Sequence, residues 1–375
     1  MHFCKKCVYP SASAVKLTFD EHGVCSGCRV AEEKKKIDWD KRSKMLKDLA
    51  QKYRARNGGN YDCIIPVSGG KDSYFQTHYV TKVLRLKPLL VTYHGNNYLP
   101  EGEYNLSRMR QVFDVDHIIF RPSEKALIKL NRICFKKMGD MNWHAHCGIF
   151  TYPVQIAVKF KIKLIVWGEH GYMDLGGMYS LNDFPEMTAK YRFEHACRGF
   201  DWYDMVGDEG LREQDLFWAK YPSEKELEES GVRGIYLGNY VDWDANVHYK
   251  LVQKLYGWQE ARQPFERTYR RFSNLDDMHE NGIHDYLKYI KFGYGRATDH
   301  ACKDIRAGYI TREKGIEMVR KHDYVKPRRD LERWLKYIGM REAEFDRIAD
   351  TFRDPRVWRK NKKGKWEKDN IWDEK

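Results

Sequence analysis

Four cysteines open the chain with a spacing that can do chemistry. Cys4 and Cys7 form one C-x-x-C pair, and Cys25 and Cys28 form a second, seventeen residues further on. A two-residue gap lets two thiolates grip one tetrahedral ion from a tight knuckle, and a second knuckle closes the shell. The pattern predicts a structural zinc ribbon over residues 1–36, with Cys4, Cys7, Cys25 and Cys28 as ligands. Between the pairs, "LTFDEHGVCSGC" reads as a strand, a turn at Glu21–Gly23 and the second knuckle. A closed four-thiolate shell leaves no open position, so the metal's task is folding. Four buried thiols and an iron–sulfur cluster are the alternatives. The remaining cysteines, Cys63, Cys134, Cys147, Cys197 and Cys302, form no close pair in sequence. Cys63 reads as a small core residue. Cys147 sits in "NWHAHCGIF" beside His144 and His146, which reads as a packed loop or, more sharply, a metal or substrate cluster.

A second stretch, "VSGGKDSYFQ" (67–76), puts flexible and charged residues between an apolar run and a helical run. A loop there aims backbone N–H groups at the start of a helix, where the macrodipole favours anions. Gly69 and Gly70 let a phosphate approach closely. Ser68 and Ser73 add hydroxyls, and Lys71 adds positive charge. Asp72 would repel a phosphate, so it reads either as linked to Mg²⁺ or as a helix cap pointing away.

The elements that must position these residues follow from periodicity. Met45, Leu46, Leu49 and Tyr53 mark a linker helix within 37–60, capped by Asp38 and stopped at Asn57-Gly58-Gly59. Short apolar runs at 61–67, 87–94, 115–120 and 163–168 alternate with helical runs, one of them marked by Phe75, Tyr79, Val83 and Leu86 and another running from Val154 to Phe160. A last strand is predicted in 234–243. This alternation predicts a parallel sheet with helices on both faces over 61–250. Ligands in such folds collect at the carboxyl ends of the strands. Residues 178–280 are rich in Trp and Tyr with weak periodicity. A helical region follows over 251–355, with one stripe at Leu331, Trp334, Leu335 and Ile338 and another at Phe345, Ile348, Ala349 and Phe352. Residues 356–375 read as a basic tail whose last dozen residues are solvated.

The chain has 375 residues, 42% of them apolar, and a net charge of +13. That excludes a disordered chain and favours anionic partners such as nucleotides or nucleic acid. The first residues lack a signal-peptide core and no apolar run reaches membrane-spanning length, so a cytoplasmic protein without membrane association is expected.

The ordinary phosphate-binding loop needs a glycine where Ile65 stands, so that match fails. "SGGKDS" instead resembles the PP-loop of ATP pyrophosphatases. That resemblance implies a loop of Ser68, Gly69, Gly70, Lys71, Asp72 and Ser73 holding the pyrophosphate part of ATP, with adenylation of a carbonyl or amide oxygen. Two branches of the superfamily compete. tRNA thiolation is favoured by the ribbon and the basic charge, and disfavoured by the lack of a further C-x-x-C to carry sulfur. Ammonia transfer is the other, and no glutaminase signature is present in this chain.

The ordered strings "FCKKCVYP", "YDCIIPVSGGKDS", "HAHCGIFTYPVQIAVKF", "LIVWGE" and "HDYLKYIKFGYGRATDHACKDIRAGYITREKGIEMV" resemble the N-acetyl sugar amidotransferases of bacterial surface-polysaccharide (lipopolysaccharide O-antigen) biosynthesis. The resemblance covers roughly residues 1–340. It implies ATP- and Mg²⁺-dependent conversion of an acetamido group on a nucleotide-linked sugar into an acetamidino group, and it makes nucleic acid an unexpected partner. It also implies a glutaminase subunit and a cyclase-like ammonia-channel subunit, both resembling imidazole glycerol phosphate synthase. Where many members carry a cysteine before this region, the chain has Met141-Asn142-Trp143, which weakens a metal role for Cys147. Within this reading Glu169, in "WGEH", orients ammonia, binds Mg²⁺ or is structural. Lys291 and Arg296, in "KFGYGRATD", suit a pyrophosphate or sugar-nucleotide phosphate, or an ordinary helix end. Tyr93 and His94 end the second strand where adenosine should lie, and "HGYMDLGG" (170–177) reads as a mobile lid.

Overall fold

The computed structural model describes residues 1–55, 60–273, 275 and 280–373. The predicted helix stop at Asn57-Gly58-Gly59 lies outside them. Five parallel strands form the central sheet: β1 (Cys63–Pro66), β2 (Pro88–Tyr93), β3 (Asp116–Phe120), β4 (Leu164–Trp167) and β5 (Arg233–Tyr236), in the order β3-β2-β1-β4-β5. Register runs Ile64 opposite Leu89 on one side and opposite Ile165 on the other.

Strand alternation divides the core into two layers, because successive side chains leave opposite faces of the pleat. Ile65, Leu90 and Val166 face one side, packed with Phe75, Leu106 and Val252. Ile64, Leu89, Val91 and Ile165 face the other, against Val154, Ile156 and Ala157. The first layer is covered by α2 (Trp39–Tyr53), α3 (Lys71–His78), α4 (Pro100–Phe113) and α10 (Ala245–Tyr256); α6 (Trp143–Phe160) covers the second, with α5 (Glu124–Met138) beside it. Asp38 caps α2 as predicted, accepting the Lys41 N–H at 2.9 Å.

The N-terminal segment carries α1 (Ser26–Lys34), which starts from the second knuckle, and α7 (Gly171–Gly176) lies against it. The irregular stretch that follows holds α8 (Ala189–Tyr191), short tight-helical turns and α9 (Glu224–Ser230). Part of it serves packing: Leu216 and Trp218 are buried against α5 and α6, while Tyr203 and Phe217 stay exposed. The C-terminal region contributes α11 (Glu280–Phe292), α12 (Arg296–Arg306), α13 (Arg312–His322), α14 (Arg328–Ile338) and α15 (Glu342–Asp350). Trp334, Ile338, Leu331 and Phe345 pack with Phe135 of α5 and Leu287 of α11.

Four expectations are corrected. The "NWHAHCGIF" segment is the first part of α6, not a loop; Gly139 takes a left-handed conformation that ends α5, and the Asp140 carboxylate then accepts the Asn142 N–H at 2.9 Å. The helical phase after the glycine loop breaks at a π turn over Tyr79–Val83, which turns Val83 outward and buries Val80. The 170–177 segment is no free lid. A side chain at Gly177, whose φ is +63°, would stand 2.6 Å from the Ser26 carbonyl, so the glycine serves close packing on α1. The last dozen residues are not solvated throughout: β6 (Arg359–Lys360) pairs with β7 (Trp366–Glu367), and Ile371 is buried against the ribbon.

Candidate functional site

The strand order reverses between β1 and β4. From β1 the chain moves outward through β2 and β3; β4 and β5 then fill the opposite side. A crevice opens at the carboxyl ends where connections diverge, which is where open α/β sheets bind ligands. Here it is bounded by the loop after β1 and by Gly168 and Glu169 after β4.

The loop is held from below. Gly69, at φ +79°, lies so near Leu106 that an added Cβ would come within 2.8 Å of its backbone. The Trp258 indole N–H donates to the Gly69 carbonyl at 2.9 Å, and the Ser68 N–H donates to Ser73 Oγ at 3.0 Å. Lys71 and Asp72 begin α3, with Gly70 as its cap. Lys71 is buried, and its Nζ lies 2.6 Å from Asp72 Oδ2. His248 of α10 lies 3.1 Å from Asp72 Oδ1 and stacks flat on Phe75 at 3.5 Å. Burial lowers the His248 pKa, while Lys71 and His248 together hold Asp72 below the usual carboxylate range against its own desolvation. Asp72 is a partly exposed carboxylate paired with Lys71 and His248, which favour its ionised form. It does not point away as a cap, and its pairing with Lys71 reduces the repulsion that a phosphate would meet. An ionised, paired carboxylate at a helix start also suits a Mg²⁺ ligand.

Glu169 sits across the crevice. Burial is the main cause of its raised pKa, about 7; Asp174 and Asp72 add to it and Lys303 opposes it. Lys303 of α12 reaches Glu169 at 3.3 Å and forms an ion pair with Asp174 of α7 as well. These groups line a cavity of about 460 Å³ whose walls are α1, α7, α12 and the segment after β5. Arg270, buried, enters it and bonds Asp304 at 2.6 Å. His300 is buried beside the cations Arg270, Arg296, Lys303 and Lys71, and with burial these keep it neutral. Lys303, Asp174, Arg270, His248 and Trp243 went unread in the sequence. Only the helical spacing of Lys303, Asp304 and Arg306 offered a signal.

Other sequence-predicted residues lie elsewhere. The Tyr93 ring is buried against Trp218, 4.7 Å between centroids, with its hydroxyl 3.1 Å from His144 Nδ1, so it serves the core beneath the strand end. His94 is buried, stacked on Tyr98 at 4.0 Å and 2.9 Å from Glu103. Lys291 is half-buried with its Nζ 3.4 Å from the Met138 carbonyl, and desolvation together with Arg198 pushes its pKa down to about 7, which makes it a weak phosphate cation. Arg296 is engaged by Asp285 at 2.9 Å. Neither lines the cavity. His144, His146 and Cys147 do not converge: His144 meets Tyr93, His146 faces His284, and Cys147 accepts from Arg192 at 3.2 Å.

The four N-terminal cysteines do converge. Their sulfurs lie within 4.8 Å of one another, with 3.9 Å between Cys4 and Cys28 and 3.7 Å between Cys7 and Cys25. A tetrahedral zinc–thiolate shell of about 2.3 Å bonds needs sulfurs about 3.8 Å apart. The N–H groups of Lys6, Cys7 and Cys25 all point at Cys4 Sγ, at 3.4, 3.4 and 3.3 Å. The Arg306 guanidinium lies 3.5 Å from Cys25 Sγ. Donors aimed at sulfur and a neighbouring cation suit thiolates, so the cluster fits a metal such as zinc. It is the one group of this kind among the described residues.

No helix in the described residues is long and apolar enough to cross a membrane. Fold and site thus define an α/β protein with a crevice at its switch point, a tetra-cysteine cluster and a helical C-terminal region. Residues 266–371 match the family described as LPS biosynthesis protein WbpG-like, C-terminal domain. The match supports a polysaccharide-biosynthesis family and a role in lipopolysaccharide synthesis. The chain is also 25% identical over 116 residues to the uncharacterized protein MJ1599 of Methanocaldococcus jannaschii, an alignment covering 31% of this chain and 41% of that relative.

Proposed function

We propose that the protein is an ATP-dependent N-acetyl sugar amidotransferase of lipopolysaccharide O-antigen synthesis, working in the cytoplasm. The observation that carries this reading is the nearness of two parts: a glycine loop with Lys71 and Asp72 after β1, close enough to act on Glu169, and a cavity beside Glu169 lined by Lys303 and Arg270 from the region that matches the WbpG-like domain. In this reading Ser68 to Ser73 form a PP-loop that holds the outer phosphates of ATP, and Asp72 holds Mg²⁺. His94 lies towards the adenosine. Lys291 and Arg296 stand behind the site rather than in it.

The acetamido oxygen of a nucleotide-linked sugar attacks the α-phosphorus, and pyrophosphate leaves. Ammonia then adds to the imidate carbon and gives up a proton, and AMP departs with the oxygen. An amide oxygen is a poor leaving group, and joining it to AMP makes it a good one. Fixed positive charge around the departing pyrophosphate stabilises that transition state. A separate glutaminase would make the ammonia and a cyclase-like subunit would conduct it.

The test mixes the zinc-loaded protein with ATP, Mg²⁺, ammonium and UDP- or CMP-linked acetamido sugars. The expected result is AMP together with a sugar that has exchanged one oxygen for one NH. Lys71→Ala should lower AMP formation by about 10²–10³-fold, the loss typical of one charge-stabilising group. ADP as the nucleotide product would mean phosphoryl transfer and reject adenylation. Salt-sensitive tRNA binding with thiolated nucleosides would favour the thiolation branch instead.

A further inference from the structure

The cavity beside Glu169 has a composition that the glycine loop does not explain. Its wall carries Glu169, Asp174, Asp242, Asp244 and Asp304 alongside Lys34, Lys35, Lys303, Arg270 and Arg306. Charges of both signs in equal number leave little net charge to attract a bare phosphate, and an alkyl chain would desolvate all of them. A polyhydroxylated ring has O–H groups that both donate and accept, so it is served by carboxylates and N–H groups side by side. Aromatic rings complete such a site, and Trp39, Trp243 and Tyr309 are among its walls.

Two further observations point to a ligand. Trp243 and Arg270 are 6% and 5% exposed, yet among the described residues Trp243 Nε1 and Arg270 Nε have no hydrogen-bond acceptor. Both residues line the cavity. A buried donor without a partner costs stability unless something else accepts from it. The volume of about 460 Å³ lies within the range of small-molecule sites. The cavity is linked to the glycine loop through two side chains: Trp243 packs edge-on against His248 at 4.5 Å, and His248 lies 3.1 Å from Asp72.

One wall is the ribbon helix. Gly27, Ala31 and Lys34 of α1 line the cavity, and a side chain at Gly27 would collide with Arg306 of α12 at 2.3 Å and with the Leu175 carbonyl at 2.6 Å. Lys34 Nζ donates to the Trp243 carbonyl at 2.6 Å and pairs with Asp242 at 2.8 Å, so α1 sets the position of the indole. We infer that this cavity binds the carbohydrate acceptor, and that the cysteine ribbon is a structural wall of the acceptor site as well as a folding unit. The inference rests on the amidotransferase reading for the acceptor's identity, but not for its location.

The experiment measures binding to the zinc-loaded full chain of UDP-N-acetylglucosamine, free N-acetylglucosamine and Mg·ATP, by saturation-transfer NMR and calorimetry. Sugar-ring protons should receive saturation. Ala31→Trp, which fills the cavity from α1 without touching a cysteine, should weaken nucleotide-sugar binding by about tenfold or more and leave ATP affinity within about twofold. Trp243→Phe keeps the ring, removes the unpartnered donor and should weaken the same ligand several-fold, which covers the case in which Ala31→Trp fails to fold. Zinc content should be unchanged in both. Unchanged sugar affinity in both variants, an equal loss of ATP affinity, or no binding of either sugar by the parent protein overturns the inference. Sugar binding at this cavity without amidine formation would instead refute the proposed reaction and leave the pocket standing.

Discussion

The ribbon side of the cavity and the helical bundle beyond it are built by different means. The ribbon packs Phe3, Tyr9 and Val15 with Tyr294, Val319 and Ile371, and adds what ordinary packing lacks: four thiols, three N–H groups aimed at Cys4, and Arg312 donating to the Cys7 and Cys4 carbonyls at 3.1 and 3.2 Å. The outer C-terminal bundle rests on packing alone, with Trp334, Phe135 and Phe345 buried against one another, whereas α12, which lines the cavity, packs with the ribbon. The difference teaches where each part is vulnerable. A metal-built unit fails all at once when its ligands are lost, whereas a packed core loses stability in proportion to what is removed. Tyr9 of the ribbon donates to Asp299 of α12, and Arg306 reaches Cys25 Sγ at 3.5 Å, so α12 is tied to the ribbon at more than one point.

The largest effect should come from breaking the ribbon. A structural four-thiolate zinc site is worth on the order of 10 kcal/mol to the unit it organises. Chelation or Cys25→Ser should therefore release α1 and α7 to hydrogen exchange while amides of α14 and α15 stay protected. Equal deprotection of both regions would show that the two parts fold as one. Next comes Trp334→Ala, which removes a fully buried ring and its bond to Asn131 at 2.7 Å. A loss of about 3–5 kcal/mol is expected in denaturant unfolding, with zinc content unchanged.

The smallest effect is a shift in pH dependence. Glu169, with its pKa near 7, is protonated below that value. If its ionised form serves the reaction, turnover falls as pH drops through about 7. Lys303 favours the ionised form, so Lys303→Met should raise the carboxyl pKa further and move this limb to higher pH. An unmoved limb in that variant would detach Glu169 from the rate.

Much of the scaffold is legible without coordinates. β1, β2, β3 and β4 fall inside the predicted apolar runs; β1, β2 and β4 do so because strands buried on both faces need near-continuous apolar residues, while β3 is a partly exposed edge strand. The reading fails where local signals compete with tertiary packing. Gly171, Gly176 and Gly177 suggest a lid, but Gly176 and Gly177 are there so that α7 can press against the ribbon. Tyr93 ends a strand where ligands gather, but its ring turns into the layer beneath, since a residue at a strand end still obeys the two-residue alternation.

What the amino-acid order alone determined is local: the knuckle spacing at Cys4, Cys7, Cys25 and Cys28, the glycine bend before α3, and the alternation that makes a parallel sheet. Each depends on neighbours a few residues away, where backbone geometry sets what can meet. Only the tertiary structure decided the crevice itself. Lys303 reaches Glu169 and Asp174 from more than a hundred residues away, and Trp243 owes its place to Lys34. No periodicity encodes those meetings; they arise because the strand order brings β4 beside β1 and the C-terminal helices close over the end of the sheet.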